Sequence, residues 1–210
     1  MKLVYIGDPM CSWCYGFGKE LSALMQRMPE IELDIRVGGV RAGATDVLDD
    51  KGKQFRLTHW ARVEEASGLP FNRKALLARE NFIYDTEPVC RAFVTAREFA
   101  PQADLLAVFH ALQLAFYVDG LDTTNGKVLA EVGAAALSAL GHSISAEEFH
   151  ARWNTTEMMA LTRQDFVKVR AAGIRSFPTL LMERDGQFVE VSPGYAPVAQ
   201  LEERLAAVMA

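Results

Sequence analysis

Hydrophobic and polar positions change period several times along this chain, and each change marks an element. Leu3-Val4-Tyr5-Ile6 is a short unbroken apolar run, which reads as a buried strand. From about Cys11 to Met28 the residues Cys14, Phe17, Leu21, Leu24 and Met28 recur at steps of three and four, tracing one helix face that Pro29 ends. Glu32 to Val37 then alternates polar and apolar, as a half-buried strand does. Strand, helix and strand in that order imply parallel pairing through a right-handed crossover. Gly38-Gly39 closes the unit and reads as a plain turn.

From Arg41 to about Thr162 helical periods dominate. Gly43 to Gly52 reads as a loop, and Lys53 to Ser67 as a helix carrying His59 and Trp60 and ended by Gly68 and Pro70. Thr86 has the position of an N-cap with Pro88 just inside, and Val89, Cys90, Phe93 and Val94 share the apolar face that follows. Pro101 is expected to open the next helix, with Leu105, Val108, Phe109, Leu112 and Phe116 inward. Val128, Val132, Ala136 and Leu140 step by four along another. Ser145 and Glu148 have the spacing of a capping box ahead of Trp153.

After this block, Phe166, Val169 and Arg170 belong to a helix that Gly173 closes. Thr179 to Met182 is a strand, Asp185-Gly186 a hairpin turn, and Phe188 to Val191 the returning strand. Pro197 starts a last helix with Val198, Leu201, Leu205 and Val208 on one face. Joined to the opening strand–helix–strand unit, these elements make an α/β fold: a four-stranded mixed sheet flanked by helices. The expected division is one sheet-bearing domain, 1–40 with 163–210, and an all-helical domain, 41–162, inserted into it. Such an insertion is tolerable because loop-closure entropy grows only logarithmically with length.

Length and charge narrow the function classes. At 210 residues the chain can bury well over half of its unfolded surface. A net charge of −5 gives no support to nucleic-acid binding. No apolar stretch approaches the length of a membrane span. The apolar run after Lys2 is too short for the core of a secretory signal, so a cytoplasmic setting is expected.

In that setting the cysteines carry the chemistry. The chain has three, and two of them, Cys11 and Cys14, lie where the first strand gives way to the first helix. Structural disulfides are rare in the cytoplasm, whereas a CxxC pair there is more often catalytic. The unpaired N–H groups and dipole of a helix N-terminus favour an anion, and the thiolate is the reactive form of cysteine. The helix period turns Cys14 inward and leaves Cys11 at the exposed first turn. Cys11 therefore suits nucleophilic attack on a disulfide, and Cys14 suits resolution of the mixed disulfide that results. The bland alternatives are a zinc or cluster half-site or two ordinary core cysteines, which would make the chain a non-enzymatic metal-binding or interaction module, but Cys90 is the only other cysteine and His59, His110, His142 and His150 are scattered without ligand spacing. No metal and no cofactor is implied. Cys90 reads as a spare core thiol. Trp60, Phe82, Tyr84, Phe116 and Tyr117 could line a groove, with core packing the commoner role.

The stretch Asp8-Pro9-Met10-Cys11-Ser12-Trp13-Cys14-Tyr15-Gly16-Phe17, together with Ser176-Phe177-Pro178-Thr179 directly before a strand, resembles the thioredoxin superfamily. Within it the chain is most similar to the DsbA-like family with a helical insertion, in its FrnE-like, predicted disulfide-isomerase branch. The resemblance implies a thioredoxin-like sheet, a cis peptide at Pro178 facing the cysteines, and a thiol–disulfide oxidoreductase or isomerase. It implies that Phe177 pairs through its backbone with substrate. Their place between the cysteines puts Trp13 beside the exposed sulfur, where an apolar lip for the substrate is expected, and lets Ser12 and Trp13 tune potential and access. Partners would be protein or peptide thiols and disulfides, glutathione among them. Two departures matter. Many thioredoxins carry a buried acid six residues before the first cysteine, where this chain has Tyr5. Strongly oxidising DsbA proteins carry a histidine before the second cysteine, where this chain has Trp13, which implies a less oxidising pair. Kappa-class glutathione transferases and hydroxychromene-carboxylate isomerases look like the same fold, but they typically have serine at the position of Cys11 and lack the second cysteine.

Overall fold

A computed structural model describes residues 1–209. The strand β1, Lys2–Gly7, leads through a tight turn into the helix α1, Ser12–Arg27, and β2, Glu32–Val37, returns alongside it. After the helical block come β3, Thr179–Arg184, and β4, Gln187–Ser192. The sheet order is β2-β1-β3-β4, with β1 and β2 parallel and the other two pairings antiparallel. This is the four-stranded mixed sheet that the sequence implies. Asp185 and Gly186 both take positive φ, 54° and 77°, which a two-residue hairpin of this kind requires.

Side-chain alternation along β1 assigns the two faces of the sheet. Leu3 and Tyr5 enter the main core with Phe17, Leu21 and Leu24 of α1, Ile35 of β2, and Leu180 and Met182 of β3. Val4 and Ile6 point the other way and meet Val169 and Leu181, with Ile174 and Phe177 against them. The last helix, α9 (Val198–Met209), closes the first face with Leu201 and Leu205, while α8 (Thr156–Ala171) closes the second. α8 runs unbroken through positions 162–163, so the sheet's second cover and the end of the inserted block share one helix.

Between β2 and α8 the chain forms α2 (Asp50–Ser67), α3 (Arg73–Leu77), α4 (Glu87–Phe99), α5 (Leu105–Tyr117), α6 (Gly126–Ala139) and α7 (Ala146–Trp153). The main apolar core continues into this block without a break; Tyr5 of β1 packs edge-on against Phe109 of α5 at 5.4 Å. The capping box at Ser145 and Glu148 is present in both directions.

Four expectations shift. α2 begins at Asp50 rather than Lys53, because Asp49 caps it by accepting from the Gly52 N–H. α5 begins at Leu105 rather than Pro101: Ala100 to Ala103 close a turn around the proline, and Asp104 supplies the cap. The short α3 has no counterpart in the sequence reading. On α6 the buried face is Leu129, Ala130, Gly133, Ala134 and Leu137, and the expected row of Val128, Val132, Ala136 and Leu140 lies on its flank. Gly133 explains the rotation, since a Cβ there would fall 2.4 Å from the Phe149 ring of α7.

Candidate active site

β1 ends at Gly7 and hands the chain to Asp8. The Cys11 N–H donates to the Asp8 carbonyl at 3.0 Å, which closes the turn and sets Cys11 at the N-cap of α1. Cys11 is extended there, its side chain makes no capping bond, and no acidic residue occupies the first turn. No carboxylate within the first turn of α1 itself neutralises its unpaired N–H groups. Cys11 is half-buried and its thiol donates to the Phe177 carbonyl at 3.7 Å. Cys14 is fully buried one turn on. The two are free thiols that approach within 3.4 Å.

The second strand of the site comes from far along the chain. Phe177-Pro178 is a cis peptide directly ahead of β3, on the position the resemblance implies. The Phe177 ring rests on Gly38, where a Cβ would fall 2.2 Å from its edge. Gly38 is therefore more than a turn residue: its missing side chain is the seat for Phe177. Trp13 is half-buried and its ring meets Tyr195 at 5.6 Å between centroids. Ser12, the first residue of α1, is half-buried beside it.

Beneath the cysteines lies an acid that the sequence reading did not single out. Asp8 is fully buried. One carboxylate oxygen accepts from the Met10 N–H at 2.8 Å and the other from the Val40 N–H at 2.7 Å. The Thr86 hydroxyl and the Cys90 thiol also face it. Burial pushes its carboxyl up to about 6, and these four donors hold it from rising further. Thr86 does occupy the N-cap position of α4 but makes no capping bond; its hydroxyl accepts from the Arg41 N–H at 3.2 Å and is turned to Asp8 instead.

Burial governs the inner sulfur. Burial pushes the Cys14 thiol well above its ordinary range, and its bond and charge coupling to Cys11, with the charge of Asp8, push the same way; the Asp8 N–H acts against them. Cys90 is raised for the same first reason, with the Asp8 carboxylate next. Tyr5, in place of the acid expected in many thioredoxins, folds over Gly7 with its hydroxyl beside Cys14. Tyr84 donates to the Met10 carbonyl at 2.6 Å, and Tyr117 lies next to it; both are buried core residues. Trp60, Phe82 and Phe116 are buried packing residues. His59, His110, His142 and His150 lie on four different segments, and among the described residues no three metal-ligating side chains are brought together. No helix among the described residues is long and apolar enough to cross a membrane.

No family model matches the sequence, and no curated protein does. Solved structures do. A protein of Nitrosomonas europaea described as a candidate protein disulfide isomerase superposes with a TM-score of 0.86 at 31% identity, covering 100% of this chain and 98% of that one. The cytosolic disulfide reductase DsbM of Pseudomonas aeruginosa superposes at 0.78 with 24% identity, over 100% and 98% of the two chains, and has also been solved with glutathione. A 2-hydroxychromene-2-carboxylate isomerase shares the fold at 0.67 and 15% identity, over 100% and 96%. With the sheet order, the helical insertion and the proline ahead of β3 in place, and with 31% identity to a relative over its whole length, the chain belongs to the DsbA-like family of the thioredoxin superfamily.

Proposed function

We propose that this protein is a thiol–disulfide oxidoreductase or isomerase acting on protein or small-thiol disulfides through Cys11 and Cys14. One observation carries the reading: two free thiols within 3.4 Å, one half-exposed at a helix N-cap against a backbone carbonyl, the other sealed beneath it. The Cys11 thiolate attacks one sulfur of a substrate disulfide; that S–S bond breaks and the departing thiolate takes a proton from water. Cys14 then gives up its proton and attacks the Cys11 sulfur, which forms the Cys11–Cys14 disulfide and releases the second substrate thiol. Two electrons pass to the substrate. Two external thiols of the glutathione class return them by the reverse exchange, the first forming a mixed disulfide at Cys11 and the second releasing it as the external disulfide; when Cys11 is released by another substrate thiol, the result is isomerisation.

Asp8 is the proton acceptor for Cys14 in this scheme. It is buried, within electrostatic reach of that thiol, and its carboxyl lies at about 6, so it is ionised at neutral pH yet close enough to exchange a proton there. Its role answers the absence of an acid at Tyr5. Pro178 and the Phe177 backbone orient the substrate, Trp13 forms the apolar lip, and Ser12 adjusts access. A serine-based glutathione transferase or isomerase shares the fold, but the paired cysteines favour dithiol exchange. The test is insulin reduction and refolding of a scrambled disulfide protein with the wild type and Cys11→Ser. The variant is expected to fall to the uncatalysed background; undiminished activity would overturn the reading.

A further inference from the structure

A groove of about 400 Å³ opens between the turn after β2 and the loop that joins α8 to β3. Val40, Ile174 and Phe177 line it with apolar surface, and the exposed Arg170 and Arg175 line it with charge. No acidic side chain lines it. Arg36, Arg41 and Arg97 each pair with an aspartate, whereas among the described residues neither Arg170 nor Arg175 has a carboxylate partner. In a chain of net charge −5, two unpaired guanidinium groups around one cleft form a local field of opposite sign.

The groove is not remote from the chemistry. Phe177 belongs to both: its ring is part of the groove, and its carbonyl is 3.7 Å from the Cys11 sulfur. Val40 likewise lines the groove while its N–H binds Asp8. The groove and the Cys11 sulfur thus flank the same residue.

Resting on the dithiol reading above, we infer that this groove selects the substrate: Arg170 and Arg175 receive carboxylates carried close to the disulfide, so that acidic disulfides are preferred over neutral ones. Arginine suits the task because its planar fork binds carboxylate through two parallel hydrogen bonds. The competing role is structural. Arg170 lies in the last turn of α8, where a cation complements the helix dipole. The two roles differ in what they change. A dipole contact acts on folding and lowers turnover of every substrate alike; a carboxylate clamp acts on the ratio between substrates.

The experiment compares kcat/KM for three disulfides: glutathione disulfide and two cystine peptides of equal length flanked by Glu or by Gln. Wild type is expected to favour the Glu peptide over the Gln peptide. In Arg170→Gln/Arg175→Gln that ratio is expected to fall about tenfold, the product of two partly exposed charge pairs, while Arg170→Lys/Arg175→Lys retains part of it. Raising salt from about 0.1 M to about 1 M, which shortens the Debye length from about 10 Å to about 3 Å, is expected to erase the wild-type preference. A shift confined to glutathione disulfide identifies small-thiol carboxylates as the ligand; a shift with the Glu peptide identifies acidic protein segments. If the Gln variant lowers kcat/KM for neither glutathione disulfide nor the Glu peptide relative to the Gln peptide, the inference is overturned. The same probes are also titrated onto Cys11→Ser by fluorescence, which reads the groove without turnover. Charge-dependent binding there with no exchange by the wild type would sink the dithiol reading alone.

Discussion

The Cys11 sulfur lies 3.7 Å from the carbonyl oxygen of Phe177, a residue separated from it by 166 positions in sequence. The contact exists because β1 and β3 are neighbours in the sheet, with Ile6 opposite Thr179 at the end of the ladder. Two chain segments that leave this end of the sheet, one into α1 and one out of Pro178, are thereby brought face to face. The arrangement leaves one sulfur half-exposed and buries the other behind it.

Cys14→Ser follows from that asymmetry. Attack at Cys11 survives, but the buried hydroxyl cannot resolve the adduct. The variant is expected to accumulate a mixed disulfide at Cys11 while steady-state reduction of insulin falls to background. Intact-mass measurement after mixing with glutathione disulfide reads the adduct directly. Absence of any adduct would place the attacking sulfur elsewhere.

Asp8 makes the stability of the fold pH-dependent. Its carboxyl is raised from 3.8 to about 6, so between these values the native chain holds a proton that the unfolded chain has lost. Stability is therefore highest below about 3.8 as far as this group is concerned, falls as pH rises towards 6, and stays flat beyond. At about 1.4 kcal/mol per unit the loss is about 3 kcal/mol. Asp8→Asn, which cannot ionise, is expected to remove this slope from urea-unfolding curves collected between pH 4 and pH 7. The variant gives up one acceptor for the Met10 and Val40 N–H groups, so its absolute stability also changes. The readout is the slope. In activity, loss of the proton acceptor is expected to slow resolution by Cys14 and to shift the rate profile to higher pH.

Much of the fold and the two sulfurs could be read from the chain because each is written locally. The period change at Cys11, the Asp185-Gly186 turn and the capping box at Ser145 depend on residues within one or two turns of each other. Asp8 could not be read in this way. Between Gly7 and Pro9 it looks like a turn former, and its partners Val40, Thr86 and Cys90 arrive from β2's exit and from α4. Thr86 shows the same limit: the cap position was evident, but the pull of a buried carboxylate on its hydroxyl is tertiary. On α6 the apolar row was displaced because alanines and Gly133, weak in hydrophobicity, allow the close approach of Phe149 that larger residues would block. Gly38 looked like any glycine in a turn until Phe177 was placed on it.

Trp13 is held by one aromatic partner, Tyr195, at 5.6 Å, whose hydroxyl donates to the Ala66 carbonyl at 3.0 Å. Trp13 is thus tied to α2 through the last loop. Trp13→Ala is expected to raise KM for peptide disulfides by about three- to tenfold, the value of one aromatic contact, with a smaller change in kcat. Trp13→Phe keeps a ring and should recover most of the loss. Steady-state kinetics over a peptide concentration series decides it; a fall in kcat with KM unmoved would assign Trp13 to the dithiol's chemistry instead.

Gly38→Ala tests whether the seat of Phe177 matters. The added methyl would fall 2.2 Å from the ring, far inside contact distance, and a ring moves as a rigid body. Phe177 must therefore rotate or its backbone must shift, and its carbonyl is the group that faces Cys11. The expected cost is about 1–3 kcal/mol in stability. The more telling result is kinetic: kcat/KM falls in Gly38→Ala, and Phe177→Ala in the same chain, which empties the seat, restores stability while a peptide substrate still binds through the backbone. Non-additive stabilities for the pair would show direct coupling, since contacting residues depart from additivity by about 0.5–3 kcal/mol. Additive losses would mean that the ring and the turn after β2 act independently, and that the strand ahead of Pro178 is placed by the sheet alone.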